Sequence, residues 1–244
     1  MQGRTDHNAQ QHLKRGAPIP YRPLAGVEPC PKGWLVVSAK LQGVSMLPQA
    51  PEVLGSFAEI LDYRPGFTVL AVHLPIGLPD VASPGGRRCD RLARSLLGAR
   101  RGAAVISPPP RSAIEDPHAK GLSAVARAML PKIAELNRDV ASYHQRTVFE
   151  FHPELSFYQL NDDRPLQYRK RTAAGVEERM ALVGERIKGL DRILELQPAS
   201  VDRARLLDAC AGLWTARRMA ARSVSRLPES PEWDEQGVRM ELAR

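Results

Sequence analysis

The chain has 244 residues, of which 43% are hydrophobic and 25% are charged, as is ordinary for a soluble globular protein. Aromatic residues make up only 5%, which argues against an aromatic stacking platform for single-stranded nucleic acid. The formal net charge of +8 permits a polyanionic partner but does not establish one. The length suits one large domain, or one domain with a helical elaboration.

The three cysteines, Cys30, Cys89 and Cys210, lie far apart, so the sequence contains no closely spaced zinc motif. An odd number of cysteines without a signal peptide predicts a reducing cytoplasm. No apolar run reaches the ~18 residues of a membrane span. Residues 1–22 are polar and predict a disordered N-terminal arm, followed by a domain over residues 23–244.

The first third of the domain predicts a β-meander, a helix and a central strand. Short strands are expected at residues 24–28, 33–39 and 44–47, with prolines and a glycine in the first turn. Residues 51–62 place apolar side chains on one helical face. Residues 67–74 form a nearly continuous apolar run, which is typical of a strand buried on both faces.

The sequence of the rest of the domain predicts mostly helices, with a second central strand among them. Helices are expected at residues 87–98, 116–130, 131–141, 175–188 and 201–223, and an edge strand at residues 238–242. The second central strand carries Glu150. This order predicts a mixed-sheet α/β fold in one domain with a helical insertion.

Glu150 lies in the most informative segment. Its β-branched and aromatic neighbours favour a buried strand, where a glutamate is costly unless it is paired, hydrogen-bonded or bound to a cation. Pro153 suits the first turn of a helix, so the strand is expected to end near His152. Glu150, His152 and Glu154 therefore gather at a strand-to-helix junction, where open α/β sheets place ligands. The alternative is a buried acid satisfied by backbone amides and a capping residue.

Several groups of residues occur in an order typical of one family. They are Gly26-Val27-Glu28 with Gly33-Trp34; Leu74-Pro75-Ile76-Gly77-Leu78; Arg88-Cys89-Asp90 with Ala93-Arg94; Glu150 with His152-Pro153-Glu154 and Phe157; Lys170, Gly175 and Arg179; Leu207-Asp208-Ala209 with Thr215-Ala216; and Glu232 through Glu241. This ordered set resembles the domain of unknown function 429 family, which is regarded as predicted ribonuclease H-like nucleases.

The resemblance implies a ribonuclease H-like mixed β-sheet flanked by helices, and a site in which carboxylates hold one or two Mg²⁺ or Mn²⁺ ions. Carried over by position, the catalytic residues are Glu28, Glu150 and Asp208, with Glu154 and His73 as further metal ligands. Such ions activate a water and stabilise the leaving oxygen at a phosphodiester. The implied partner is nucleic acid or a nucleotide; no membrane or protein partner is inferred.

Two departures from the family pattern bear on activity. Glu28 stands where the family usually has aspartate, which shifts the carboxylate oxygens. His73 and Leu74 occupy the stretch where the family usually has another aspartate. A neutral histidine suits Zn²⁺ or Mn²⁺ better than Mg²⁺ and brings no negative charge. The alternative for His73 is a hydrogen-bonded strand-end residue in a degenerate site, and for Asp208 it is an ion pair with Arg205 or another arginine.

Basic residues supply the predicted substrate contacts, since guanidinium and ammonium groups bind phosphate. The candidates are Arg88, Arg94, Lys170 and Arg179; alternatively, Arg94 forms an i,i+4 pair with Asp90 that supports its helix. The leading hypothesis is a metal-dependent nuclease or phosphodiesterase with an altered site. The alternative is a catalytically impaired nucleic-acid or nucleotide binding module. An actin-like phosphotransferase is disfavoured because the sequence lacks glycine-rich phosphate loops.

Overall fold

The computed structural model describes residues 21–116, 122 and 124–244. Within this part of the chain, six strands form one mixed sheet in the order β3-β2-β1-β5-β6, with β4 also paired to β2. β1 pairs antiparallel with β2 and parallel with β5, which pairs parallel with β6. The strands are β1 (Arg22–Cys30), β2 (Gly33–Gln42), β3 (Ser45–Pro48), β4 (Glu52–Leu54), β5 (Val69–Val72) and β6 (Val148–Glu150).

Helices flank the sheet, and a small antiparallel sheet of β7 (Arg226–Trp233) and β8 (Arg239–Ala243) completes the fold. This arrangement confirms the predicted mixed α/β class with a helical stretch between the two central strands. No helix within the described ranges is both long and apolar enough to cross a membrane. The helices are α1 (Phe57–Leu61), α2 (Arg88–Gly102), α3 (Arg111–Glu115), α4 (Ala124–Asp139), α5 (Pro153–Leu160), α6 (Ala173–Gly184), α7 (Leu190–Glu195) and α8 (Arg203–Ala220), with a 3-10 helix at Ser142–Arg146.

The two faces of the sheet have separate apolar cores, because successive side chains along a strand point to opposite faces. Leu24 of β1 and Ala71 of β5 pack with residues of α5, α6, α7 and α8. Val27 of β1 and Val72 of β5 pack with residues of α1 and α4 on the other face. The position of a polar residue along β1 or β5 therefore determines which face of the sheet its side chain points to.

Several predicted boundaries are wrong. Residues 51–62 do not form one helix: Val53 and Leu54 pair with Leu35 and Trp34 of β2 in a short edge strand. α1 begins only after Ser56, whose side chain accepts a hydrogen bond from the Glu59 N–H. The local apolar pattern fits a helix, but the open edge of β2 provides pairing that the sequence pattern does not reveal.

The proline expected to begin a new helix lies inside one instead. α4 continues through Pro131, which is exposed, while Ile133 and Leu136 hold the helix against the core. Most of the helix predicted at residues 116–130 precedes α4, and residues 117–121 and 123 lie outside the described part. Residues 1–20 of the predicted arm lie outside it too, and β1 begins at Arg22. The sequence did not predict α3, α7 or β7, because α3 and α7 are short helices and β7 contains prolines.

Two glycines bring α8 against β1. A Cβ on Gly26 would lie 2.1 Å from the Ala209 carbonyl oxygen and 2.3 Å from the Leu213 nitrogen. On the helix side, a Cβ on Gly212 would lie 3.0 Å from the Gly26 Cα. These contacts involve backbone, which cannot rotate away as a side chain does. The close approach fixes the distance between the end of β1 and the residues of α8.

We expect Gly26→Ala to lower the free energy of unfolding by about 1–3 kcal/mol, the usual cost of overpacking, because α8 must move away from β1. Urea denaturation measures the change. Gly66→Ala is the matched control, since the nearest atom to its Cβ would be 3.8 Å away. An equal, small effect of both substitutions would show that the β1–α8 contact tolerates a methyl group.

Candidate functional site

Three predicted residues converge on the α8 face of the sheet. Glu28 lies on the same face of β1 as Leu24 and Gly26, because the three residues are two positions apart. His73, just past β5, lies on the same face as Ala71 for the same reason. Asp208 lies on α8 itself. Glu28 and Asp208 are buried, with 3% and 1% of their surface exposed. Parallel pairing of β1 with β5 places both strand ends at one edge of the sheet.

The imidazole of His73 binds Glu28 directly. His73 Nδ1 lies 2.9 Å from both carboxylate oxygens of Glu28. Burial lowers the pKa of His73 to about 4, so the ring is neutral at pH 7. With the single proton of a neutral ring on Nδ1, His73 donates to Glu28 and leaves its Nε2 lone pair free to accept a proton.

Lys170 provides the positive charge of the site. It comes from the segment between α5 and α6, and its Nζ donates to Asp208 Oδ2 at 2.7 Å. Burial raises the pKa of Glu28 well above its ordinary value, and the charge of Lys170 offsets part of this rise. We refer to Glu28, His73, Lys170 and Asp208 as the four-residue cluster. The partner of Asp208 is therefore a lysine, whereas the sequence alternative named Arg205, which pairs with Asp202.

The buried carboxylates of the cluster have fewer hydrogen bonds than they can accept. Within the described part of the chain, Asp208 Oδ1 is buried and has no hydrogen-bond partner, and Glu28 Oε1 is close only to His73 Nδ1, which it shares with Oε2. Burial, together with the nearby charge of Glu28, raises the pKa of Asp208 to about 6 even though Lys170 opposes the rise. Buried acceptors without partners are costly and uncommon. The cluster can therefore accept a further cation or hydrogen-bond donor.

The predicted pair of Mg²⁺ or Mn²⁺ ions does not fit the cluster in this arrangement. Among the described residues, no group of three or more His, Cys, Asp or Glu side chains is placed to hold a metal ion. Lys170 already occupies one oxygen of Asp208, and His73 Nδ1 faces Glu28. The metal ion predicted from the resemblance stays a prediction, and Asp208 Oδ1 is the carboxylate oxygen of the cluster that has no protein contact.

Glu150 does not join the cluster. It pairs in register with Val72 and alternates with Val148, both of which face the α1 and α4 side of the sheet. Its Oε1 accepts from Arg87 Nη2 at 2.6 Å, and its Oε2 accepts from Arg87 Nη1 at 2.8 Å and from the Ile76 N–H at 2.6 Å. Glu150 is a buried carboxylate held by one arginine and one backbone amide.

Arg87 also binds Asp90, which lies three residues later in the first turn of α2. Its Nη2 and Nε donate to the two oxygens of Asp90 at 2.7 and 3.1 Å. Burial alone would raise the pKa of Asp90, but the charge and hydrogen bonds of Arg87 outweigh it and lower that pKa. Asp90 is thus paired with Arg87, in place of the suggested Arg94. Arg87, Asp90 and Glu150 therefore form a buried ion-pair network that joins the start of α2 to β6. Asp90 and Glu150 come from separate sequence landmarks, and Arg87 lies just before the first of them.

The predicted ligand Glu154 and two of the predicted phosphate contacts have structural partners. Glu154 binds Arg179 at 2.6 Å, and Arg179 is completely buried. Arg94 donates to the carbonyls of Val105 and Gly85 and to Ser107. Arg88 is exposed, with its backbone N–H bonded to Glu232. Of the four predicted basic contacts, Lys170 is the one that the structure brings to the cluster.

A cavity of about 110 Å³ lies beside His73. Its walls are mostly apolar, and its polar lining residues are His73, His152, Asp90 and Glu150. His152 caps α5, since its Nδ1 accepts from the Glu154 N–H at 3.2 Å and its Nε2 lies 3.3 Å from the Ala104 carbonyl. The sequence placed His152 at the strand–helix junction but gave it no role in the site. The full lining is His73, Leu74, Pro75, Asp90, Ala104, Val105, Ile106, Met129, Glu150, Phe151, His152 and Leu242.

The comparisons with known proteins agree with the resemblance seen in the sequence. The profile of the family described as "Protein of unknown function (DUF429)" matches residues 26–233, which is most of the chain. No match is found among curated proteins or among solved structures. The matched range includes β1 with Glu28, α8 with Asp208, and Lys170 between them. The chain belongs to the DUF429 family, whose members are proteins of unknown function.

Proposed function

We propose that this chain is a hydrolase of the ribonuclease H-like class that acts on phosphodiester bonds of a nucleic acid or nucleotide, with the four-residue cluster as its reaction centre. The observation that carries the proposal is the pair of buried carboxylates: Glu28 contacts a neutral imidazole, and Asp208 contacts Lys170 and keeps Oδ1 without a hydrogen-bond partner. Ionisable groups whose pKa values are shifted by burial and by each other are typical of active sites.

The topology supports the same class. β1, β2 and β3 form an antiparallel meander, and β5 and β6 extend the sheet in parallel beside β1. The family resemblance implies acids at the end of the first strand and on a late helix, and Glu28 and Asp208 occupy those two places.

The cluster suggests a division of roles. His73, oriented by Glu28, takes a proton on Nε2 from a water molecule as the water oxygen bonds to phosphorus and the ester oxygen leaves. An arriving phosphate raises the pKa of His73 and so strengthens it as a base. Lys170, positioned by Asp208, stabilises the negative charge that develops on the phosphoryl oxygens. The cavity beside His73 receives the part of the substrate next to the phosphate.

A binding module is the second candidate. Two observations favour it: His73 stands where the resemblance expects a carboxylate, and the Lys170 ammonium pairs with Asp208 at 2.7 Å. Both features reduce the negative charge that a metal-dependent site requires. A binding module would use Lys170 to hold phosphate without cleaving the ester.

The test is cleavage of labelled single- and double-stranded DNA and RNA, with Mg²⁺, with Mn²⁺ and with a chelator. We expect Asp208→Asn to slow cleavage by at least about 100-fold, in the range typical of losing a group that acts in the transition state. Asp163→Asn is the control, because Asp163 is an exposed partner of Arg244 and its left-handed backbone suits asparagine.

Equal cleavage by the native and Asp208→Asn proteins would place the activity elsewhere or in a contaminant. Binding without cleavage in every metal condition would support the second candidate and exclude the hydrolase.

A further inference from the structure

We infer that the cavity beside His73 is a binding subsite for one pyrimidine base, so that the site selects pyrimidine over purine nucleotides. The inference rests on the proposed function in treating the neighbouring four-residue cluster as the place where phosphate binds. It deepens that proposal by naming the class of nucleotide that the site takes.

The position of the cavity in the fold is the first observation. One part of its lining, residues 73–75, follows β5, and another part, residues 150–152, lies at the end of β6. The chain after β5 leads through α2 and α3 to α4, which contributes Ile133 to the core on one face of the sheet. The chain after β6 enters α5, which contributes Phe157 to the core on the other face. Open α/β sheets bind ligands in such a crevice, where the connections after neighbouring parallel strands leave toward opposite faces.

The size of the cavity is the second observation. Its volume is about 110 Å³, whereas a buried apolar cavity of about 150 Å³ holds a benzene molecule. There is space for one ring, and the two fused rings of a purine need more. Leu74, Val105 and Phe151 line the cavity and are at most 4% exposed. A larger occupant would have to displace these packed core residues.

Aromatic rings in the lining are the third observation. The ring of His73 lies 5.9 Å from that of Phe151 and 5.0 Å from that of His152, measured between centroids. Proteins hold single bases against aromatic and histidine rings of this kind. His73 is bound to Glu28, and His152 accepts from the Glu154 N–H, so the protein itself fixes both imidazoles in place.

The carboxylates in the lining are the fourth observation, and they favour a base over a hydrocarbon ring. Glu150 and Asp90 both line the cavity. Glu150 Oε1 accepts one hydrogen bond, from Arg87 Nη2. Because a carboxylate oxygen has two lone-pair sites, Oε1 can accept one more. The amino group of cytosine is a donor that can supply this hydrogen bond, as is the ring N–H of uracil.

The experiment measures the binding of CMP, UMP, AMP and GMP to the native protein by calorimetry, with ribose 5-phosphate as the reference that lacks a base. We expect CMP and UMP to bind at least about tenfold more tightly than AMP and GMP, since the fit of a group to a pocket produces discrimination of this size. The purine nucleotides should bind about as tightly as ribose 5-phosphate. Equal affinities for the four nucleotides, or no gain over ribose 5-phosphate, would overturn the inference.

Substitutions of Ile106, which lines the cavity, test where the base binds. Ile106→Trp fills the cavity and should reduce the affinity for CMP to that for ribose 5-phosphate. Ile106→Ala enlarges the cavity and should reduce the preference for CMP over AMP. Ile114→Trp and Ile114→Ala are the matched controls, because Ile114 is also partly buried but packs against the core on the α1 and α4 side, outside the cavity lining.

The control variants should keep the native preference. An unchanged preference for CMP in a folded Ile106→Trp protein would overturn the inference. If Ile106→Trp does not fold, Ile106→Phe is measured instead, and the base preference of the native protein tests the inference without any variant.

Binding and turnover distinguish this inference from the proposed function. A preference for pyrimidine nucleotides in a protein that cleaves no substrate would uphold the subsite and refute the hydrolase. Cleavage by a native protein that binds all four nucleotides equally would do the reverse.

Discussion

Arg87→Met should lower the free energy of unfolding by about 3–5 kcal/mol, the cost of breaking a buried ion pair by removing one partner. Arg87 joins Glu150 and Asp90 through four hydrogen bonds of 2.6 to 3.1 Å, and all three side chains are buried. Methionine fills similar space but leaves two carboxylates without a counter-charge. Chemical denaturation at pH 7 measures the effect.

Arg88→Met is the matched control because the neighbouring Arg88 is exposed. Its effect should stay within about 0.5 kcal/mol, as for most surface substitutions. The deficit of Arg87→Met should shrink at lower pH, where Glu150 and Asp90 become protonated and no longer need a counter-charge. If Arg87→Met lowers the free energy of unfolding at pH 7 by no more than Arg88→Met does, the network contributes little to stability.

Asp208→Asn should make the protein more stable than the native sequence at pH 8, by up to about 3 kcal/mol, and by little at pH 4. Burial raises the pKa of Asp208 from its ordinary 3.8 to about 6, a difference of roughly two units at 1.36 kcal/mol each. The folded state therefore binds the proton more tightly than the unfolded state does. Stability from Asp208 is present below pH 4 and is lost as the pH rises through 6.

Asparagine removes this dependence because it does not ionise. Lys170 loses its partner in the variant, but its side chain is 40% exposed and can be hydrated. Free energies of unfolding from pH 4 to pH 8 for both proteins provide the measurement. Parallel curves for the two proteins would mean that Asp208 ionises in the folded state as it does in the unfolded chain. A gain in stability together with lost cleavage would identify Asp208 as an acid kept for function.

The sequence by itself determined the strands of the meander, the buried central strand and the two acids of the cluster. The strands follow from short strand-like runs at β1 and β2 with turn residues between them and from an apolar run at β5. The two acids come from the family resemblance, carried over by position.

Only the tertiary structure decided which basic side chain pairs with each buried carboxylate. Glu150 and Asp208 are both acids in apolar surroundings, and local sequence cannot distinguish their roles. The register of β6 turns Glu150 to the face opposite Glu28, where it meets Arg87, 63 positions earlier in the chain. Asp208 meets Lys170, 38 positions earlier. Such pairings depend on how strands and helices assemble, and that assembly separates a structural ion pair from a candidate reaction centre.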